Sequence, residues 1–157
     1  MTQLTEGQQK FQDNRIAPMH TTEHILNQTM VRLMGSDRSF SAHIERRKSK
    51  CDYYLDQAPT DEQVQAIEDQ VNQVIMSNLP VTEHFMPIEA AGKIADLSKL
   101  PEGISGDIRI IKVGDYDAIP CVGTHVSNTS VIGRFDITTH TYTDGVWRVR
   151  FRLRPRD

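Results

Sequence analysis

Cysteine is scarce in this sequence of 157 residues, which contains only Cys51 and Cys121. Two cysteines are too few for a disulfide framework, and they fit a reducing compartment in which thiols stay free to bind metal. Long apolar runs are also missing, so no segment approaches the length of a membrane span. The polar N-terminus lacks the basic and apolar regions of an export signal. We therefore expect a cytoplasmic protein with no membrane contact.

A strong excess of one charge is lacking as well. The net charge of -3 argues against a general polyanion-binding protein. The sequence has no phosphate-cradling glycine loop and no GxSxG nucleophile elbow, which argues against nucleotide chemistry. No repeat and no Pro/Gly/Ser-rich linker divides the chain, whose length fits one domain. We expect a polar tail over residues 1–17 and a single domain over 18–157.

Apolar periodicity predicts two main helices. Apolar residues at helical spacing favour a helix over 19–34 that ends at Gly35. A second apolar stripe begins with capping-box spacing at Thr60 and ends before Pro80.

The other predicted elements are mainly strands. They are a hairpin over 40–55, a short strand over 81–85, a short helix over 88–96, a buried strand over 108–113, a loop over 114–120, and a terminal hairpin whose runs, 131–143 and 146–153, flank the turn signal Asp144-Gly145. These elements predict an α+β fold, in which an antiparallel-rich sheet has helices packed on one side.

Two residue pairs have the spacing of metal ligands. His20 and His24 are four apart in the first predicted helix, so both imidazoles project from one face. Cys121 and His125 repeat that spacing about a hundred residues later. A thiolate combined with imidazoles suits tetrahedral zinc better than calcium or magnesium. Three histidines and one cysteine from remote segments are more typical of a catalytic site than of a structural one.

Glu23 gives the first pair the form HxxEH, which matches the motif of inverted zinc proteases, where the glutamate is a general base. Those proteases need a further acidic ligand on a later helix, and the nearest candidates are Glu62 and Glu68. The alternative interpretation is a glutamate on an exposed helix face.

Basic residues are concentrated in two short segments. These are the loop residues Arg46, Arg47 and Lys48, and the alternating residues Arg148, Arg150 and Arg152 of the last predicted strand. They indicate either a localised contact with phosphates or a solvated strand face and charged loop that resist aggregation.

The two ligand pairs, in this order, resemble the editing domain shared by alanyl- and threonyl-tRNA synthetases and by the free-standing AlaX proteins. That family reads close to HTATHLL, then CGGTHV, then NTGEIG. The corresponding stretches here are His20-Thr21-Thr22-Glu23-His24-Ile25-Leu26, Cys121-Val122-Gly123-Thr124-His125-Val126 and Asn128-Thr129-Ser130-Val131-Ile132-Gly133. Further agreement lies between them, so the resemblance covers roughly residues 18–153.

The resemblance implies a hydrolase that cleaves a wrongly attached amino acid from tRNA, with Ser- or Gly-tRNA(Ala) as the leading substrate. His20, His24, Cys121 and His125 would bind Zn²⁺, which either activates water or holds the amino acid. Glu23 would act as base or contact the amine, and the basic segments would meet tRNA phosphates; no protein partner is implied. The alternatives are a non-catalytic tRNA-binding domain and a small HxxEH peptidase. The sequence departs from the family at Glu23, usually threonine, and at Val122, usually glycine.

Overall fold

A computed structural model describes residues 13–98, 100 and 103–156 of the chain. After a 3-10 helix at Asn14–Ile16, the helices are α1 Ala17–Met34, α2 Asp61–Met76 and α3 Ile88–Ala91, and a second 3-10 helix spans Thr129–Val131. The strands are β1 Ser41–His43, β2 Lys48–Tyr54, β3 Val81–Pro87, β4 Asp107–Val113, β5 Asp117–Pro120, β6 Arg134–Thr143 and β7 Val146–Arg154.

The strands form two antiparallel sheets. The larger sheet has the order β1-β2-β7-β6 and the smaller one has the order β3-β4-β5. Helices α1 and α2 pack against each other, and their buried residues share one hydrophobic core with the larger sheet. This arrangement confirms the predicted α+β class with helices on one side of an antiparallel sheet.

Strand β7 shows how the sequence pattern sets the two faces of the larger sheet. Trp147, Val149 and Phe151 have no exposed surface and face the helices. The arginines that alternate with them project from the opposite face, which we call the outer face. Burial of each such apolar side chain contributes roughly 1.5–3 kcal/mol, which fixes the register of the strand.

Helix α1 is central to the molecule and carries the first ligand pair. Most of its residues are buried, including His20 and His24, because the second sheet and the loops cover the side that faces away from the larger sheet. Gly35 ends the helix in the left-handed conformation at φ 65°, as predicted. The predicted capping box of α2 is also present: Thr60 Oγ1 accepts from Gln63 N, and Gln63 Oε1 accepts from Thr60 N.

Several predicted boundaries are wrong. The loop expected over 114–120 contains β5, whose four residues pair with β4. The first run of the terminal hairpin begins at Arg134, because the residues before it form a 3-10 helix. The helix expected over 88–96 ends at Ala91 and continues as turns. Strand β5 was not predicted because turn-forming residues precede it. The first run of the terminal hairpin and the helix at 88–96 were predicted too long, because apolar residues in turns resemble those of regular elements.

The predicted tail over residues 1–17 lies outside the described residues up to position 12. Its last residues are folded: Asp13 Oδ1 accepts from Arg15 N, and Ile16 and Ala17 are buried. The folded domain therefore begins before residue 18, because Ile16 packs into the core. Within the described ranges, no helix combines the length and apolar character that crossing a membrane requires.

Candidate metal centre

The structure brings the two predicted ligand pairs together. His20 and His24 lie one turn apart on α1, and Cys121 and His125 lie in the loop that follows β5. One ligand atom from each residue falls in a group whose members all lie within 4.8 Å of one another. His20 and His24 are each 5% exposed, and the other two are partly buried.

The distances within this cluster fit a tetrahedral zinc ion. Cys121 Sγ lies 3.5 Å from His20 Nε2 and 3.4 Å from His125 Nε2. Zinc bonds of about 2.3 Å to sulfur and about 2.05 Å to nitrogen, at a tetrahedral angle, place the two ligand atoms about 3.6 Å apart. The donor set and its spacing therefore fit the metal that the sequence predicts, and the same residues could hold a related transition metal.

Burial keeps the three imidazoles neutral, which is the form that binds metal. Burial lowers the pKa of His20 to about 4 and the pKa of His125 to about 3. The pKa of His24 lies well below its usual value, because of burial and then of the neighbouring His125. Burial raises the pKa of the Cys121 thiol, while the Gly123 N–H opposes this by donating to Sγ. Metal binding would therefore displace the thiol proton.

Hydrogen bonds fix the ring orientation of two of the histidines. His20 Nδ1 donates to the carbonyl oxygen of Thr124 at 3.3 Å, and this leaves Nε2 for the metal. With Nε2 as its ligand atom, His125 donates from Nδ1 to Thr21 Oγ1 at 2.9 Å. Thr21 Oγ1 also accepts the backbone N–H of Val126 at 3.2 Å. One hydroxyl therefore joins α1 to the loop after β5 that carries Cys121 and His125, which we call the ligand loop.

The third histidine faces a buried carboxylate that the sequence did not indicate. His24 Nδ1 has no hydrogen-bond partner among the described residues, and Asp117 Oδ2 lies 3.7 Å from it. Asp117 is held by Arg38, with contacts of 2.8 and 3.2 Å, and by Gln28 Nε2 at 3.1 Å. A carboxylate behind a ligand histidine is a common support of metal sites.

Arg109 supports the ligand loop from β4, and it too was missed. Its Nη1 donates to the carbonyl oxygens of Cys121 and Gly123 at 2.8 and 2.9 Å, and its Nε donates to Glu83 Oε2 at 2.8 Å. The alternating pattern of the buried strand gave no sign that this arginine turns toward the loop.

Glu23 lies beside the ligands at a cavity of about 270 Å³. Its Oε1 is 3.7 Å from His20 Nε2, and its side chain is 16% exposed. The cavity is lined by His20, Glu23, His24, Asn27, Arg38, Ser39, Asp96, Leu100, Ile119, Pro120 and Cys121. Glu23 is thus an inward residue and does not lie on an exposed helix face.

Neither of the two residues proposed as the acidic ligand of the inverted-protease motif lies at this centre. Glu62 is exposed in the first turn of α2, and Glu68 Oε2 accepts the backbone N–H of Ile137 at 2.9 Å. Cys121 and His125 complete the cluster in their place.

The predicted tRNA-binding residues are not one continuous patch of free charge. Arg46 and Arg47 lie in the loop between β1 and β2, and Lys48 begins β2. Strand β7 contains four arginines, and the three that were predicted to bind tRNA, Arg148, Arg150 and Arg152, lie on the outer face. Two of them have carboxylate partners there: Arg148 donates twice to Asp52 at 2.8 and 3.0 Å, and Arg152 Nε donates to Asp136 at 2.9 Å. The outer face also lies on the side of the sheet that α1 and its histidines do not cover.

Comparison with known proteins supports the resemblance to the editing domain. The model of the threonyl and alanyl tRNA synthetase second additional domain matches residues 108–150, which include Cys121 and His125. The alanine–tRNA ligase of Blochmanniella floridana is 34% identical over 139 residues, which cover 84% of this chain and 16% of the ligase. Two further alanine–tRNA ligases are also similar. The ligase of Caldicellulosiruptor saccharolyticus is 32% identical over 130 residues, which cover 81% of this chain and 15% of the ligase. The ligase of Treponema denticola is 29% identical over 133 residues, which cover 83% of this chain and 22% of the ligase.

The α+β fold and its mixed histidine and cysteine cluster define a domain with a candidate metal centre next to a small cavity. The chain is similar to the second additional domain of threonyl- and alanyl-tRNA synthetases, and these matches support an AlaX-like editing domain. It spans about a sixth to a fifth of the length of the curated relatives it matches.

Proposed function

We propose that this domain is a zinc-dependent hydrolase that removes a wrongly attached amino acid from tRNA by cleaving its ester to the terminal ribose. The observation that carries this proposal is the zinc-type donor set in the wall of a small cavity, in a chain similar to the editing domain. The fold alone would not suffice, because one fold supports many functions.

In this proposal, His20, His24, Cys121 and His125 hold the zinc ion. When bound, zinc supplies a Lewis acid that either activates a water molecule or holds the amino acid for attack. Glu23 faces the same cavity and serves as the proton acceptor for the attacking water or as the contact of the substrate amine. Apolar residues Ile119 and Pro120 help to exclude bulk water, which strengthens electrostatic interactions in the cavity.

The cavity supports a small amino acid as the substrate. Its volume of about 270 Å³ lies below the usual range of about 300–1,000 Å³ for sites that bind drug-sized ligands. Polar side chains at its wall, Asn27 and Ser39 among them, offer hydrogen bonds to a hydroxyl or an amine. We therefore keep serine or glycine attached to tRNA(Ala) as the proposed substrate.

The tRNA would be held by basic residues. Arg46, Arg47, Lys48 and Arg150 are the members of the predicted set best suited to this role, because Arg148 and Arg152 already have carboxylate partners. A cytoplasmic location and action on tRNA in trans remain predictions.

The test is a deacylation screen on a panel of mischarged tRNAs, with the metal content of the same samples measured in parallel. We expect hydrolysis of Ser- or Gly-tRNA(Ala) by the zinc-loaded protein and loss of activity in Cys121→Ala and Glu23→Gln. The matched control is His84→Ala, an exposed histidine on β3 that contacts Thr82. Full activity without metal would refute the zinc role, and tight tRNA binding with no hydrolysis of any substrate would favour the non-catalytic alternative.

A further inference from the structure

A second cleft, at the N-terminal end of α1, gathers four arginines from three separate parts of the chain. It has a volume of about 450 Å³ and lies against the ends of β6 and β7. Its arginines are Arg15 before α1, Arg46 in the loop between β1 and β2, Arg154 at the end of β7, and Arg156 beyond it. No carboxylate lines this cleft among residues 13–98, 100 and 103–156.

Close backbone packing forms one wall of the cleft. Gly133 has φ 95°, and a Cβ atom added to it would lie 2.5 Å from the carbonyl oxygen of Arg154. The start of β6 therefore lies directly on the end of β7. Arg156 Nη2 donates to the carbonyl oxygen of Gly133 at 3.0 Å, which holds this side chain at the wall.

Carboxylates compensate the cleft arginines unequally. Arg15 is paired with Asp13 at 2.8 Å, and Arg154 Nε lies 3.6 Å from Asp136, a carboxylate that Arg152 already binds. Arg46 has no carboxylate within ion-pair distance in the described part of the chain. The pKa of Asp13 is lowered mainly by its hydrogen bonds with Arg15, and the more distant charge of Arg46 contributes to this. The contacts described for Arg156 are to Gly133 and Asn72, which are neutral. The cleft therefore keeps more unpaired positive charge than the β7 arginines of the outer face.

The floor of the cleft is apolar. Pro18, Met19, Ile132 and Leu153 contribute to the floor. His20 follows Met19 directly on α1, but the cleft and the cavity beside the ligand cluster share no lining residue. Arginines around an apolar floor suit a ligand that has both phosphate groups and sugar or base surfaces.

We propose that this cleft binds phosphodiester groups of an RNA strand, with Arg46 and Arg156 as the principal contacts. The inference rests on the proposed function for the identity of that RNA, and it assigns the contact to the cleft rather than to the outer face of the larger sheet.

The test measures the binding of an uncharged tRNA(Ala) transcript over a range of salt concentrations. The variant is Arg46→Ala/Arg156→Ala, which removes two exposed side chains that form no carboxylate pair with any described residue. The control is Lys93→Ala, which removes one exposed positive charge after α3. This equals the charge removed at each position of the double variant. We expect the double variant to bind roughly tenfold more weakly at moderate salt, with a salt slope shallower by about 1–2, because each phosphate contact contributes about 0.7–0.9. Arg46→Lys/Arg156→Lys should recover most of the salt slope.

The outcomes separate the cleft from the proposed function. Unchanged tRNA binding in the double variant would overturn the proposal that the cleft binds RNA, even if the protein hydrolyses mischarged tRNA. Weakened tRNA binding in the double variant, together with no hydrolysis of any mischarged tRNA by the wild-type protein, would support RNA binding at the cleft and refute the proposed function. A further arm adds inorganic phosphate at constant ionic strength. Displacement of the transcript by low millimolar phosphate would assign the cleft to a free anion and overturn the assignment to RNA.

Discussion

Each histidine of the candidate metal centre has one ring nitrogen that would not bind the metal, and these nitrogens face different groups. In His20 it faces a backbone carbonyl, in His125 the hydroxyl of Thr21, and in His24 the carboxylate of Asp117. Such partners set the tautomer and the orientation of the ring. The affinity of the centre for metal should therefore depend on side chains that the metal does not touch.

The Thr21 hydroxyl gives the first prediction. Thr21→Val keeps the shape of a fully buried side chain but removes the acceptor for His125 Nδ1 and for Val126 N. We expect zinc affinity, measured by competition with a chromophoric chelator, to fall about 10-fold or more. The control is Thr22→Val, an equally buried threonine on the same helix whose hydroxyl bonds only to the carbonyl oxygen of Pro18. Equal affinities in the two variants would contradict the role of Thr21.

Asp117 gives a second prediction of the same kind. We expect Asp117→Asn to weaken zinc binding by about 10- to 100-fold, because His24 loses the carboxylate that lies 3.7 Å from its Nδ1. The matched control is Asp115→Asn, an exposed residue two positions earlier in the turn before β5. Chelator competition gives the affinity, and circular dichroism shows whether each variant is folded. A folded Asp117→Asn protein with wild-type affinity would exclude Asp117 as a positioning residue.

The sequence predicted which four candidate ligands come together, but it did not predict the residues that support them. A spacing of four residues on a helix fixes the relation of His20 to His24 without knowledge of the rest of the fold. Asp117 reaches His24 only because β5 pairs with β4 beside α1, and Arg109 reaches the ligand loop across the same sheet. Such contacts depend on tertiary structure, which residue spacing does not encode.

At the scale of elements, the junction of β6 with β7 depends on Gly133. We expect Gly133→Ala to lower the free energy of unfolding by more than about 2 kcal/mol, because the new Cβ would both strain a positive φ and press on the Arg154 carbonyl. Urea unfolding measures the change.

The control for this prediction is Gly35→Ala at the end of α1. Gly35 also has a positive φ, of 65°, but a Cβ atom there would meet nothing within 4 Å. In that variant the free energy of unfolding should fall by only about 1 kcal/mol, because backbone strain is the only cost. An equal loss in both variants would show that the close approach at Gly133 does not matter.

The long elements were predictable and the short ones were not. Helices α1 and α2 have several turns of apolar periodicity and clear end signals, and β7 alternates over nine residues. Strand β5 has only four residues and directly follows a turn, so tertiary pairing determines it. The arginine cleft was hidden for a similar reason: Arg15 lies in the segment predicted to be a tail, and only the fold brings it near Arg156.

At the scale of the molecule, the candidate metal centre joins parts of the chain that are far apart in sequence. Two ligands lie on α1, near the start of the described chain, and two follow β5 about a hundred residues later. A metal that binds this assembled cluster, and not the unfolded chain, stabilises the whole domain by mass action.

This coupling predicts the effect of metal removal on unfolding. With free zinc at about 100 times its dissociation constant, binding adds about 2.7 kcal/mol to stability, which for a domain of this size corresponds to about 5–10 °C in Tm. We expect a chelator to lower Tm by that amount in the wild type and in His84→Ala. The Tm of Cys121→Ser should already be low and should not respond to the chelator, because the centre has lost its thiolate. A wild-type Tm that does not change when zinc is removed and restored would show that the four side chains do not bind zinc tightly enough to couple it to folding.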